Sequence, residues 1–210
     1  MRILFCRTGY MKFYKGVSEK DPIQFGGSYV EKNKIGHEEY NFREVFLDDS
    51  PDAQCLGFVE TKSRNDKSYQ LHIEKIQGLA ALKDAECAED VLVVWCAKTE
   101  PNSMRVMGWY KHAVVYRNYQ PCVIDGEERV YNVIAKSADC LLLPRKERIP
   151  WYWRVPYSKK NTYGLGQSEV WYAGEPEAEA YVHELAEKIE NYDGDNWIDV
   201  YEEDEDRIFI

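Results

Sequence analysis

The sequence predicts an α+β fold: a strand-rich body followed by one acidic C-terminal helix. Three observations carry this. Short β-prone runs are divided by glycine, proline and Asp-Gly turn signals, and a single run with helical periodicity begins near Gly174. Aromatic residues reach 14%, with six Trp and sixteen Tyr, side chains that suit pleated and half-buried surfaces. A length of 210 residues with 44% hydrophobic content is enough for the core of one large domain.

Taken in order, residues 3–14 read as a first strand with a turn at Gly9, and a polar loop follows through Asp21. Residues 25–30, with Gly26 and Gly27, form a glycine turn entering an extended stretch. Residues 35–42 mix polar and aromatic side chains without periodicity, the pattern of a loop. Residues 55–62 and 69–76 alternate as strands, the second through Leu71, Ile73 and Ile76. Val91–Ala97 is an apolar run of central-strand length. Gly108 interrupts a β-prone run over 104–117, and Asp125-Gly126 marks a hairpin between residues 122–124 and 130–135. A short apolar segment at 138–143 stops at Pro144. Over 144–172, neither helix nor regular strand fits prolines 144, 150 and 156 well. From Pro176, the positions Ala178, Tyr181, Val182, Leu185 and Ile189 give one helical apolar stripe, with glutamates at the end where the dipole favours anions. The expected division is residues 1–172 as the β domain and 173–210 as an acidic helix and tail packed on it or following it.

The net charge of -10 hides an asymmetry. From Trp171 onward the chain carries fourteen acidic and two basic residues, which leaves 23 acids and 25 bases in residues 1–170. The body keeps enough cations to meet phosphates. Residues 1–7 are too short and polar to read as a signal peptide, and no run approaches a membrane span. Six scattered cysteines with no Cys-x-x-Cys pair read as buried thiols of a reduced, cytoplasmic protein.

Catalytic patterns are sparse. His37, His72, His112 and His183 have no metal-ligand spacing, and no cysteine pair complements them. There is no Gly-x-Ser-x-Gly elbow. The glycine pair in Tyr163–Ser168 has no lysine behind it, so it does not read as a phosphate loop. His37 beside Glu38 and Glu39 permits acid-base chemistry, but a solvated loop is the favoured reading. No metal, cofactor or catalytic residue is expected.

Two aromatic and basic clusters say more. In residues 108–117, Trp109, Tyr110 and Tyr116 lie beside Gly108 with Lys111 and Arg117 at hand. That chemistry suits base stacking with backbone neutralisation; two strands with these rings in the core account for it equally well. In residues 151–161, Trp151, Tyr152, Trp153 and Tyr157 alternate with Arg154, Lys159 and Lys160 in loop-like sequence. As a strand, this segment would point Trp151 and Trp153 to one face. A loop packed over the domain with solvated lysines is the competing reading.

These segments resemble the PUA-like superfamily of EVE, YTH, ASCH and SRA modified-base readers. More narrowly, they resemble the amino-terminal modules found ahead of HNH nuclease domains in modification-dependent restriction enzymes. The carrying residues are Gly26, Gly27, Ser28 and Tyr29; Gly36, His37 and Glu38 with Asn41 and Phe42; residues 56–59; residues 93–97; and Gly108, Trp109, Tyr110 and Lys111 with Val115, Tyr116 and Arg117. The resemblance spans roughly residues 1–172. It implies a PUA-like curved β-barrel flanked by helices, with an aromatic pocket for a flipped base. It implies Trp109 and Tyr110 as stacking walls, with Tyr29 and Asn41 for edge contacts and Trp151 and Trp153 added from the second cluster. Lys111, Arg117, Arg154, Lys159 and Lys160 would hold phosphates. The partner expected is nucleic acid, DNA rather than RNA, with a separate effector protein and no membrane. An acidic helix and tail follow where those enzymes carry a nuclease domain, which leaves binding without restriction activity. The alternative is a protein-interaction or regulatory module that works through the acidic tail.

Overall fold

The computed structural model describes residues 1–25, 36–47, 50–61, 70–100, 103–158, 163–166 and 168–204. Within them one mixed sheet dominates. Its strands are β1 (Ile3–Thr8), β2 (Glu44–Val45), β3 (Gln54–Gly57), β4 (Cys87–Glu100), β5 (Ser103–Ile124), β6 (Glu127–Lys136), β7 (Cys140–Leu142), β8 (Arg154–Val155) and β9 (Val170–Trp171). The order is β2-β3-β6-β5-β4-β1-β9, with β7 and β8 both paired to β5. Only β1 and β4 run parallel; the other described pairs are antiparallel. The path from β2 to β9 does not return on itself, so among the described residues the sheet is open.

β5 is the spine. Its first half lies between β4 and the short strands β7 and β8, and its second half pairs with β6. Register shifts interrupt both long pairings, and such bulges bend and twist a strand. Asp125 and Gly126 have φ of 55° and 82°, the positive values that a tight β5–β6 hairpin turn needs at both central positions.

The apolar run at 91–97 is continuous because both of its faces are buried. Leu4, Cys6, Val93, Trp95 and Tyr110 enter one cluster with Phe13 and Phe42. Ile3, Phe5, Val94, Cys96 and Trp109 enter the other with Trp153 and Trp171. Helix α1 (Glu179–Glu190) covers the second face through Val182, Leu185 and Ile189, after a 3-10 turn over Pro176–Ala178. The expected stripe is the one buried. Burying each of those side chains contributes about 1.5–3 kcal/mol.

Two expected elements differ. Residues 70–76 are not a strand: Ile73–Lys75 is a 3-10 turn, yet Leu71, Ile73 and Ile76 are all buried. Leu71 N–H bonds to the Arg117 carbonyl at 2.7 Å, after which the bonds turn local, Lys75 to His72 and Ile76 to Ile73. Gly108 does not end its strand either, since β5 runs straight through it.

After α1 the chain returns to β7. Asn196 accepts the Leu142 N–H at 3.0 Å and donates to the Cys140 carbonyl at 2.9 Å, serving as a short strand edge. Trp197 stacks on Phe13 at 5.7 Å. Lys15 donates to the carbonyls of Phe42 and Ile198, and Glu202 meets Ser18 and Lys20. The acidic tail, as far as residue 204, therefore docks on the loop that follows β1. No described helix is long and apolar enough to cross a membrane.

Candidate nucleic-acid interface

The first aromatic cluster is interior. Trp109 and Tyr110 are consecutive on β5, so their rings point to opposite faces of the sheet and cannot wall one cavity. Trp109 is 2% exposed, 5.5 Å from Trp153 and edge-on to Tyr192 at 5.4 Å. Tyr110 is fully buried, edge-on to Phe42 at 5.5 Å and to Trp95 at 5.4 Å. The close approach that Gly108 permits is taken by the protein itself: a Cβ there would overlap the Leu141 carbonyl oxygen and sit 2.7 Å from the Phe42 ring. Both rings are core residues, which corrects the stacking role expected of them.

Asn41 is likewise committed. Its side-chain oxygen accepts the Phe58 N–H at 2.8 Å and its amide donates to the Phe58 carbonyl at 3.2 Å, which clamps the backbone after β3. Arg117 reaches the carbonyls of Ala85 and Leu82 and the Glu74 carboxylate at 2.8–2.9 Å. Its guanidinium staples a loop and is not free for phosphate. Lys111 pairs with Glu190 at 2.8 Å and ties β5 to α1. Tyr29, Lys159 and Lys160 lie outside the described residues.

The second cluster divides. Trp151–Trp153 is a 3-10 turn rather than a strand, and three residues per turn send side chains two apart in different directions. Trp153 enters the core at 2% exposure, which removes it from any open pocket, whereas Trp151 stands 77% exposed. Between this turn and α1 lies a groove of about 500 Å³, lined by Trp151, Tyr152, Arg154, Pro156 and Tyr157 on one wall and by Tyr181, Glu184, Leu185 and Lys188 on the other. The Tyr181 hydroxyl donates to the Arg154 carbonyl at 3.3 Å and joins the two walls. Trp151 and Tyr152 stand nearly perpendicular, 80° with centroids 6.2 Å apart. The Lys188 ammonium lies 5.8 Å from each ring and 2.7 Å from Glu184.

A cation next to the groove-lining Arg154 has no local sequence signal. Arg105 on β5 is the register partner of Arg154 on β8, so two guanidinium groups share a face where like charges repel. Among the described residues the buried Nη1 of Arg105 has no hydrogen-bond partner. Burial first, and then Arg154, hold its pKa below the usual arginine value. A bound anion would relieve both conditions.

No family model, curated protein or solved structure matches this chain.

The His37 region is not the solvated loop expected. His37 opens a 3-10 turn, its ring lies 5.0 Å from Phe58, and its buried Nδ1 has no hydrogen-bond partner among the described residues. Burial, reinforced by the carboxylates of Glu60, Glu169 and Glu39, lifts the Glu38 carboxyl to about 7. Glu39 pairs with Arg129 at 3.2 Å. Among the described residues no group of His, Cys, Asp and Glu could hold a metal ion.

Proposed function

We propose that the protein is a nucleic-acid-binding domain that takes an unpaired or flipped base, modified in its biological target, against Trp151 and Tyr152. Arg154 and Arg105 hold the adjoining phosphate. The domain binds and does not itself catalyse; DNA is the favoured partner, and a separate effector acts on what is bound. The observation that carries the proposal is an exposed indole sharing a groove with Arg154, the cross-strand partner of Arg105, whose buried Nη1 has no hydrogen-bond partner among the described residues. Stacking platforms beside cations are how proteins hold single strands. A concave site of this volume fits a nucleotide-sized ligand. The likeness to modified-base readers favours the same chemistry, and the bulged, bent β5 is consistent with a PUA-like relative.

A second reading, docking of a protein partner, draws on the carboxylates of Glu179, Glu184 and Glu187 around a shallow recess on α1. Fluorescence anisotropy with a labelled single-stranded oligonucleotide separates the two. Trp151→Ala should lower affinity by about 5- to 150-fold, the value of one base stacked on an aromatic ring. Equal affinity of wild type and variant would remove Trp151 from the interface.

A further inference from the structure

Resting on that reading, we infer that the groove selects a nucleotide whose base is itself a cation, of the N-alkylated purine class that includes 7-methylguanine. The protein's own side chains already show the chemistry. An ammonium, Lys188, occupies the angle between the Trp151 and Tyr152 rings, 5.8 Å from each. Glu184 sits 2.7 Å from that ammonium. A base that stacks there displaces Lys188 and leaves the Glu184 carboxylate facing whatever arrives. A neutral base leaves that carboxylate unpaired beside the ring faces. A positively charged base restores the pair and adds the attraction between a cation and the indole face, strongest for Trp.

The rest of the groove argues against a simple ammonium ligand. Its volume of about 500 Å³ exceeds what a methylated ammonium head fills. Arg154 lines the same groove, with Arg105 as its cross-strand partner behind it, so positive charge stands at this edge and favours an anion. One ligand satisfies the aromatic angle, the carboxylate and the arginine pair together: a flat cation with a phosphate attached.

The test is calorimetric titration of the full chain with 7-methylguanosine 5′-monophosphate and with unmethylated guanosine 5′-monophosphate. Each is repeated within a single-stranded oligonucleotide carrying one such base, which separates a free nucleotide from a nucleic-acid source. The methylated ligand should bind about 3- to 30-fold more tightly. Glu184→Gln should narrow that preference by weakening the methylated ligand more than the unmethylated one. Both Glu184 and Trp151 are largely exposed, so these variants retain the fold, as circular dichroism would verify. Equal affinity for the two bases, with oligonucleotide binding intact and Trp151-dependent, would overturn this inference alone. Absence of all nucleotide binding would overturn the proposed function with it. Tight binding of a trimethyl-lysine peptide with none of the methylated nucleotide would also overturn it, in favour of a peptide ligand.

Discussion

Replacing Arg148 with methionine should unfold the protein far more readily than loss of any surface charge. Arg148 is 1% exposed. Its guanidinium donates at 2.7 Å to three backbone carbonyls, those of Leu143, Met11 and Lys12. Asp21 completes the knot by accepting the N–H groups of Lys12 at 2.6 Å and Phe13 at 2.9 Å. The side chain thus ties the loop after β1 to the segment that carries Trp151. Methionine fills a similar volume but leaves three buried carbonyls without their donor and removes a positive charge that favours the Asp21 carboxylate. Each lost acceptor bond costs about 1–3 kcal/mol in isolation, and breaking a buried charged contact costs about 3–5 kcal/mol in all. At that size the midpoint of thermal unfolding should fall by roughly 6–20 °C. Urea denaturation followed by circular dichroism measures the change directly. Arg148→Lys, which keeps the charge but not the three-way fork, should fall between wild type and Arg148→Met. A loss under about 1 kcal/mol for Arg148→Met would refute the claim that this fork holds the segment in place.

Two further perturbations address the sheet and the buried carboxyl. Gly108→Ala should destabilise by about 2–3 kcal/mol in the same urea assay, because its Cβ meets the β7 backbone and the Phe42 ring; wild-type stability would show that β7 is not packed this closely. The Glu38 carboxyl titrates near 7 when folded and near 4.5 in its ordinary state, so the folded chain binds the extra proton between those values. Its contribution is present below about 4.5 and is lost as pH rises through about 7. Glu38→Gln should therefore gain stability relative to wild type between pH 5 and pH 8, by about 2 kcal/mol. A constant difference across that range would place the carboxyl in solvent.

Much of the fold was legible because its signals are local. Asp125-Gly126, the apolar run at 91–97 and the stripe through Leu185 each need only a few neighbouring residues. The misreading of Leu71, Ile73 and Ile76 is a matter of period: over so short a run, alternation in a strand and one turn of 3-10 helix can bury the same side chains. The site was harder. Trp109 and Tyr110 could have been separated by extending the 113–117 strand backward, since neighbours on a strand face opposite ways. Trp151 and Trp153 could not, because a 3-10 turn between prolines leaves no periodic trace. Arg105 acquires its meaning from Arg154, its partner across two strands far apart in the chain, and no window of sequence holds both.

The salt dependence of oligonucleotide binding tests the central claim most directly. Two arginines at one phosphate-binding edge should contribute about 1.4 to the slope of log affinity against log salt for a single strand. The double variant Arg105→Ala with Arg154→Ala should lose that much of the slope, while Trp151→Ala weakens binding at every salt concentration and leaves the slope alone. A double variant with the wild-type slope would mean that phosphate does not sit beside this groove.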